Sequence, residues 1–123
     1  SGYNETITST SFRAYHNEGD TVATLTYETS LDQAQGTAFQ TLASALGADN
    51  DQSVGGILKI FNPSSTTFVK HFIFDGQYYN QSDYSIRLNC SGYFNSTSAI
   101  DAVQFKMSSD EIQGGTISLY GIN

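Results

Sequence analysis

The residues of this chain with the widest chemical reach are two imidazoles and one thiol, His16, His71 and Cys90. A zinc site needs three or four nitrogen, sulfur or oxygen ligands. No H-x-H or H-E-x-x-H spacing occurs, so a metal site would require these three distant residues to meet in space. Serines and aspartates abound, yet no G-x-S-x-G sets a serine on a nucleophile elbow, and nothing around Cys90 resembles a thiol-nucleophile context. Asp49, Asp51 and Ser53 stand at the first, third and fifth positions of a calcium loop. Val54 then replaces the glycine that such a loop turns on, and Ile60 replaces its bidentate glutamate. The pattern predicts a solvated acidic loop. Carboxylates lie mainly in turns rather than paired as glycoside hydrolysis requires. Gly55-Gly56 and Gly114-Gly115 lack the Lys-Ser/Thr and following helix of a phosphate cradle. These residues therefore predict no catalytic site, no metal and no cofactor.

One cluster suits binding rather than reaction. Gln77, Tyr78, Tyr79, Asn80 and Gln81 put aromatic faces beside amides in what reads as an exposed loop tip. Stacking on the apolar face of a sugar, with amide hydrogen bonds around it, would make a glycan contact. Tyrosines are equally enriched at protein interfaces, so a loop–loop contact between subunits fits the same residues.

Charge narrows the partners. The net charge is −7, and the five basic residues, Arg13, Lys59, Lys70, Arg87 and Lys106, are scattered singly. A nucleic-acid partner would need a basic stripe that is missing here. No apolar run approaches the roughly 20 residues that cross a bilayer, so membrane insertion is not expected. With one cysteine no intrachain disulfide can form. Cys90 shares its parity with Tyr84, Ile86 and Leu88, which predicts a buried structural thiol. At 123 residues the chain is long enough for one domain with a single core.

The elements that would position these groups read as strands. Alternation of apolar and polar residues turns alternate side chains to opposite faces of an extended chain. It runs through Thr21–Glu28 and Tyr84–Cys90, and more roughly through Ser11–His16. Ile57–Phe61 reads as a short apolar strand, and Phe68–Asp75 as a strand with large residues on both faces, placed centrally or at a contact surface. Asn17-Glu18-Gly19-Asp20 supplies a hairpin turn between two of these runs. Leu31–Leu46 differs: Phe39, Leu42, Ala43 and Leu46 follow helical spacing ahead of Gly47, which predicts a short helix around residues 37–46. A long loop bridging the sheet satisfies the same pattern. Ala99–Ile122 holds two further alternating runs around a polar turn with Gly114-Gly115, and reads as a closing β-hairpin. Seven or so short strands predict an all-β antiparallel sandwich or jelly-roll-like domain spanning residues 1–123.

Three segments, FNPSSTTFVKHF (Phe61–Phe72), GYFNSTSAIDAVQFKMSS (Gly92–Ser109) and GTISLYGI (Gly115–Ile122), resemble the C-terminal part of a family of tailed-phage virion structural proteins, common in marine phage. FRAYHNEGD (Phe12–Asp20) and QGTAFQTL (Gln35–Leu42) extend the likeness over nearly the whole chain. The resemblance implies a β-sandwich module on the exterior of the virion, either a capsid decoration or a tail-fibre-type piece. Its partners would be other virion proteins and further copies of itself, and no catalytic residue comes with it. It also implies either a short member or the C-terminal portion of a longer protein. The alternative function is an adhesin whose aromatic loop contacts host surface glycan.

Overall fold

The structure, a computed structural model, describes residues 2–122. Its strands are β1 (Ile7–Asn17), β2 (Ala23–Tyr27), β3 (Gln33–Gly36), β4 (Val54–Ile60), β5 (Lys70–Tyr79) and β6 (Tyr84–Phe94). They form one sheet in the order β2-β1-β6-β5-β4, with β3 pairing the first part of β1 beside β2. Every ladder is antiparallel. The fold is all-β and sandwich-like, as the alternation predicts.

Period-two patterning sorts the two faces. On β5 the residues Lys70, Phe72, Phe74, Gly76 and Tyr78 turn inward and are buried, whereas His71, Ile73 and Gln77 are exposed. On β6 Ile86, Leu88 and Cys90 turn inward. The register sets Ser11 and Phe74 on either side of Cys90, and Tyr15 and Tyr78 on either side of Ile86. Two clusters result. One gathers Ile7, Phe72, Phe74 and Cys90, with Leu42, Leu58, Ile60 and Phe94 packed against it. The other gathers Tyr78, Ile86 and Leu88, with Tyr15, Leu31, Ala43, Leu46 and Tyr84 around them. Full burial of one such aliphatic side chain contributes about 1.5–3 kcal/mol.

The layer over this inner face is irregular chain. β3 and β4 lie on opposite edges of the sheet, so residues 37–53 cross the inner face between them. The expected helix at 37–46 does not form, and the described residues contain none. Groups that a helix would bond internally are taken by side chains instead. The Tyr78 hydroxyl meets the Ser44 amide and hydroxyl, both at 3.2 Å, and the Gln40 amide donates to the Leu31 and Thr41 carbonyls. Ala45, at φ 56°, also lies outside helical geometry. The sheet-bridging loop is the outcome, and its helical spacing serves to drop Leu42, Ala43 and Leu46 onto the sheet.

The expected closing hairpin does not form either. Residues 99–122 contain no strand and pair with nothing in the sheet. The expected hairpin around Asn17–Asp20 is present, with the Asn17 side-chain oxygen accepting from the Thr21 and Val22 amides. On the inner side Arg13 Nε donates to Glu28 at 2.7 Å. Burial pulls that guanidinium down, and the bond and charge of Glu28 more than offset it, so it titrates above its usual value.

Gly92 is the tightest point of the central ladder, opposite Ser9 on β1. A methyl group there would collide with the Thr8 carbonyl oxygen and lie 2.8 Å from Ser9 Cα, both of them backbone atoms. Gly92→Ala is therefore expected to destabilise by about 1–3 kcal/mol or more, lowering the urea midpoint; an unchanged midpoint would show that β1 and β6 can separate freely here.

Candidate functional site

The five residues Gln77–Gln81 do not share an exposed loop. Gln77, Tyr78 and Tyr79 complete β5, and alternation sends Tyr78 the opposite way from its neighbours. Tyr78 is 1% exposed, and its hydroxyl holds the crossing loop at Ser44. It is a core residue, not a contact residue. The Asn80 side-chain oxygen accepts from the Ser82 and Tyr84 amides, which shapes the β5–β6 turn. The Gln81 amide donates to the Ala45 carbonyl, tying that turn to the crossing loop.

Gln77 and Tyr79 remain on the outer face. Ser85 from β6, His16 from β1, and Glu18 and Asp83 from two turns join them around a shallow depression of ≈ 330 Å³. Its polar groups are already engaged with one another. The Tyr79 hydroxyl donates its one hydrogen to Asp83 at 3.0 Å, with the Glu18 carboxylate 3.4 Å away as a second acceptor. Gln77 donates to the Ser85 hydroxyl at 2.9 Å, and His16 sits 2.9 Å from Asp20. The bond to Asp83 is the main reason the Tyr79 phenol is pushed up to about 12, with partial desolvation and the charges of Asp83, Glu18 and Asp51 adding to it. A phenol so held stays protonated and donates; it is neither a base nor a nucleophile at neutral pH.

A second shallow depression, of ≈ 390 Å³, lies at the other end of the outer face among Thr8, Thr10, His71, Ile73, Ser91 and Tyr93. His71 stands edge-on to Tyr93 at 6.2 Å between ring centres. His16 and His71 thus occupy opposite ends of the outer face, while Cys90 points inward, so the three do not converge. Among the described residues no group of three or more His, Cys, Asp or Glu side chains is placed to hold a metal ion. The Cys90 thiol, buried as its parity predicts, is pushed up to about 11 by desolvation, which keeps it a protonated, unreactive group.

Two features escaped the sequence reading. Lys70 is fully buried, and its ammonium donates to the Phe68 and Ser96 carbonyls at 3.0 and 3.1 Å. It clamps the chain just beyond β6, where the 99–122 segment begins. Its parity with Phe72 and Phe74 was the available signal. The second feature is that segment itself. Val103, Phe105, Met107, Ile112, Ile117, Leu119, Tyr120 and Ile122 are all exposed, Leu119 and Ile122 above 90%. Its backbone makes one hydrogen bond among the described residues, Ile100 to the Pro63 carbonyl at 2.8 Å, and Lys106 lies over the Phe39 ring at 4.3 Å.

No protein-family model, no curated protein and no solved structure matches the chain.

The raised phenol gives a pH prediction. A group whose pKa is higher in the folded state contributes stability below its unfolded value near 10 and loses it as the pH rises. For Tyr79 that loss falls between the unfolded value and about 12. The tyrosinate difference titration of the parent chain against Tyr79→Phe should have its midpoint near 12, and Asp83→Asn should bring it down. An unmoved midpoint in Asp83→Asn would remove that bond as the cause.

Proposed function

We propose that this chain is a non-enzymatic structural module that works by assembling with further copies of itself, on the exterior of a tailed-phage particle as a decoration or fibre-type piece. The observation that carries the proposal is the 99–122 segment. It presents eight exposed apolar side chains on a backbone that belongs to no strand. With about 150–200 Å² for a fully exposed large side chain, its eight apolar residues present on the order of 900 Å², about what each partner contributes to a standard interface. A protein that functioned alone would leave that surface in water. Several titratable groups of the outer face are bonded to neighbours, His16 to Asp20, Tyr79 to Asp83, and Asp75 to Arg87 and Asn89, which fits a face held in shape for contact. The placement on a virion rests on the likeness of segments such as Phe61–Phe72 and Gly115–Ile122 to phage structural proteins.

Light scattering of the purified chain should return a homo-oligomer at micromolar concentration. A stable monomer there would overturn the assembly reading, and absence of the chain from purified particles would overturn the placement.

The outer face supports a second reading, contact with a host surface glycan. Tyr79 and Tyr93 lie there beside the amide and hydroxyl groups of Gln77, Ser85, Ser91 and Thr10, a flat aromatic and polar surface suited to a sugar. On a glycan array, Tyr79→Ala should abolish any binding while leaving the fold intact, whereas Tyr78→Ala should unsettle the fold itself. Binding that survives Tyr79→Ala would move the contact away from this end of the sheet.

A further inference from the structure

The sheet has two edges, β2 with β3 on one side and β4 on the other, and only the second is built to continue inward. β2 is short and its side chains are exposed on nearly every position, so a strand added beside it would extend no core. β4 is different. Leu58 and Ile60 face inward and pack against the buried cluster of Ile7, Phe72, Phe74 and Cys90, yet they are themselves only half-buried, so the margin of the core is open on that side. The rim around it carries exposed Val54, Ile57, Phe61 and Phe68.

The backbone of that edge is free to pair. Tyr79 donates to the Ser53 carbonyl and Phe61 to the His71 carbonyl, which fixes the alternation of ladder bonds between β4 and β5. The odd-numbered residues of β4 bond to β5, so the N–H and C=O groups of Val54, Gly56, Leu58 and Ile60 point outward from the sheet. β4 has no proline, no bulge and no inward charge; its one charged residue, Lys59, lies on the outer face and leaves the inward side of the edge apolar.

The 99–122 segment has the complementary features. Ile100–Met107 matches β4 in length, both spanning roughly 23–27 Å at about 3.3 Å per residue. Asp101, Val103, Phe105 and Met107 share one face of it, with Asp101 at its end, opposite Ile100, Ala102, Gln104 and Lys106. Ile100 is tied to Pro63, just past the end of β4, so each molecule carries donor and acceptor at the same end. Two such molecules can each give and receive a strand, which closes the exchange around a symmetry axis.

We propose that the 99–122 segment of one copy adds as a strand to the open β4 edge of a second copy, through Ile100–Met107, with Val103, Phe105 and Met107 covering the inner cluster beside Leu58 and Ile60. This rests on the assembly reading above and names the surface that assembly uses. The remaining apolar residues, Ile112 to Ile122, then continue across the partner.

Cross-linking between two distinguishable copies tests it. A tagged chain carrying Gln104→Cys is co-expressed with an untagged chain carrying Lys59→Cys and treated with a short bis-maleimide. The native Cys90 is 1% exposed and stays unreactive. The expected product is a covalent tagged–untagged pair, with no such pair when the second cysteine is Thr24→Cys on β2. Removal of residues 101–122 should also reduce the oligomer to monomer with the strands intact by circular dichroism. An oligomer that couples through Thr24→Cys and not Lys59→Cys would overturn the β4 edge while leaving assembly standing. An oligomer that survives the truncation would overturn the segment as donor. A chain carrying both cysteines that links only within itself would show the segment folding back on its own edge. A full-length monomer would sink this proposal together with the assembly reading.

Discussion

Eleven residues of β1 pair in unbroken register with β6, and that ladder settles the facing of nearly every side chain in the molecule. Because the period of a strand is two, a slip of one residue would turn Ile7, Ser9 and Ser11 to solvent and Thr8 and Phe12 to the core. The register is locked where β1 passes closest to β6, at Gly92, which has no room for a side chain. From there the pattern spreads through β5, whose inward Phe72, Phe74 and Tyr78 meet the inward residues of β6.

A single sheet has two faces, and this chain covers only the inner one. Residues 37–53 do so as irregular chain, whose polar groups must find partners in the absence of a helix or ladder. Tyr78, Gln40 and Gln52 supply them: Tyr78 at Ser44, Gln40 at Leu31 and Ser9, Gln52 at the Asn80 carbonyl. Tyr78 does two jobs at once, filling the core with its ring and fastening the covering layer with its hydroxyl. The outer face is left open, with the Asp75–Arg87–Asn89 group at its centre and aromatic residues toward its ends. An uncovered outer face, a β4 edge with unpaired backbone groups and an exposed apolar segment are what a subunit awaiting neighbours presents.

Lys70 joins the packed part of the molecule to the exposed part. A buried ammonium needs acceptors, and the Phe68 and Ser96 carbonyls take two of its three donors here. The chain beyond Ser96 therefore leaves from a fixed point, followed by the Ile100–Pro63 bond. The exposed segment is anchored at its root although it has no ladder of its own.

The sequence by itself determined the all-β class, the inward parity of β6, the Asn17–Asp20 hairpin and the buried Cys90, because each depends on spacing within a few residues; β5 carries large residues on both faces, so pairing with β6 decided its inward side. Tertiary structure decided the rest. Helical spacing at Phe39–Leu46 marks which residues touch the core, and it serves a crossing loop as well as a helix, so only the bond from Tyr78 to Ser44 settled the choice. Of Gln77–Gln81 the local pattern showed aromatic and amide character, yet the length of β5, set by pairing with β6, turned Tyr78 inward and left Gln77 and Tyr79 outside. Alternation in Ala99–Ile122 specifies a strand's two faces without naming its neighbour. A ladder needs a second backbone at hydrogen-bonding distance, and among the described residues no strand lies along residues 99–122.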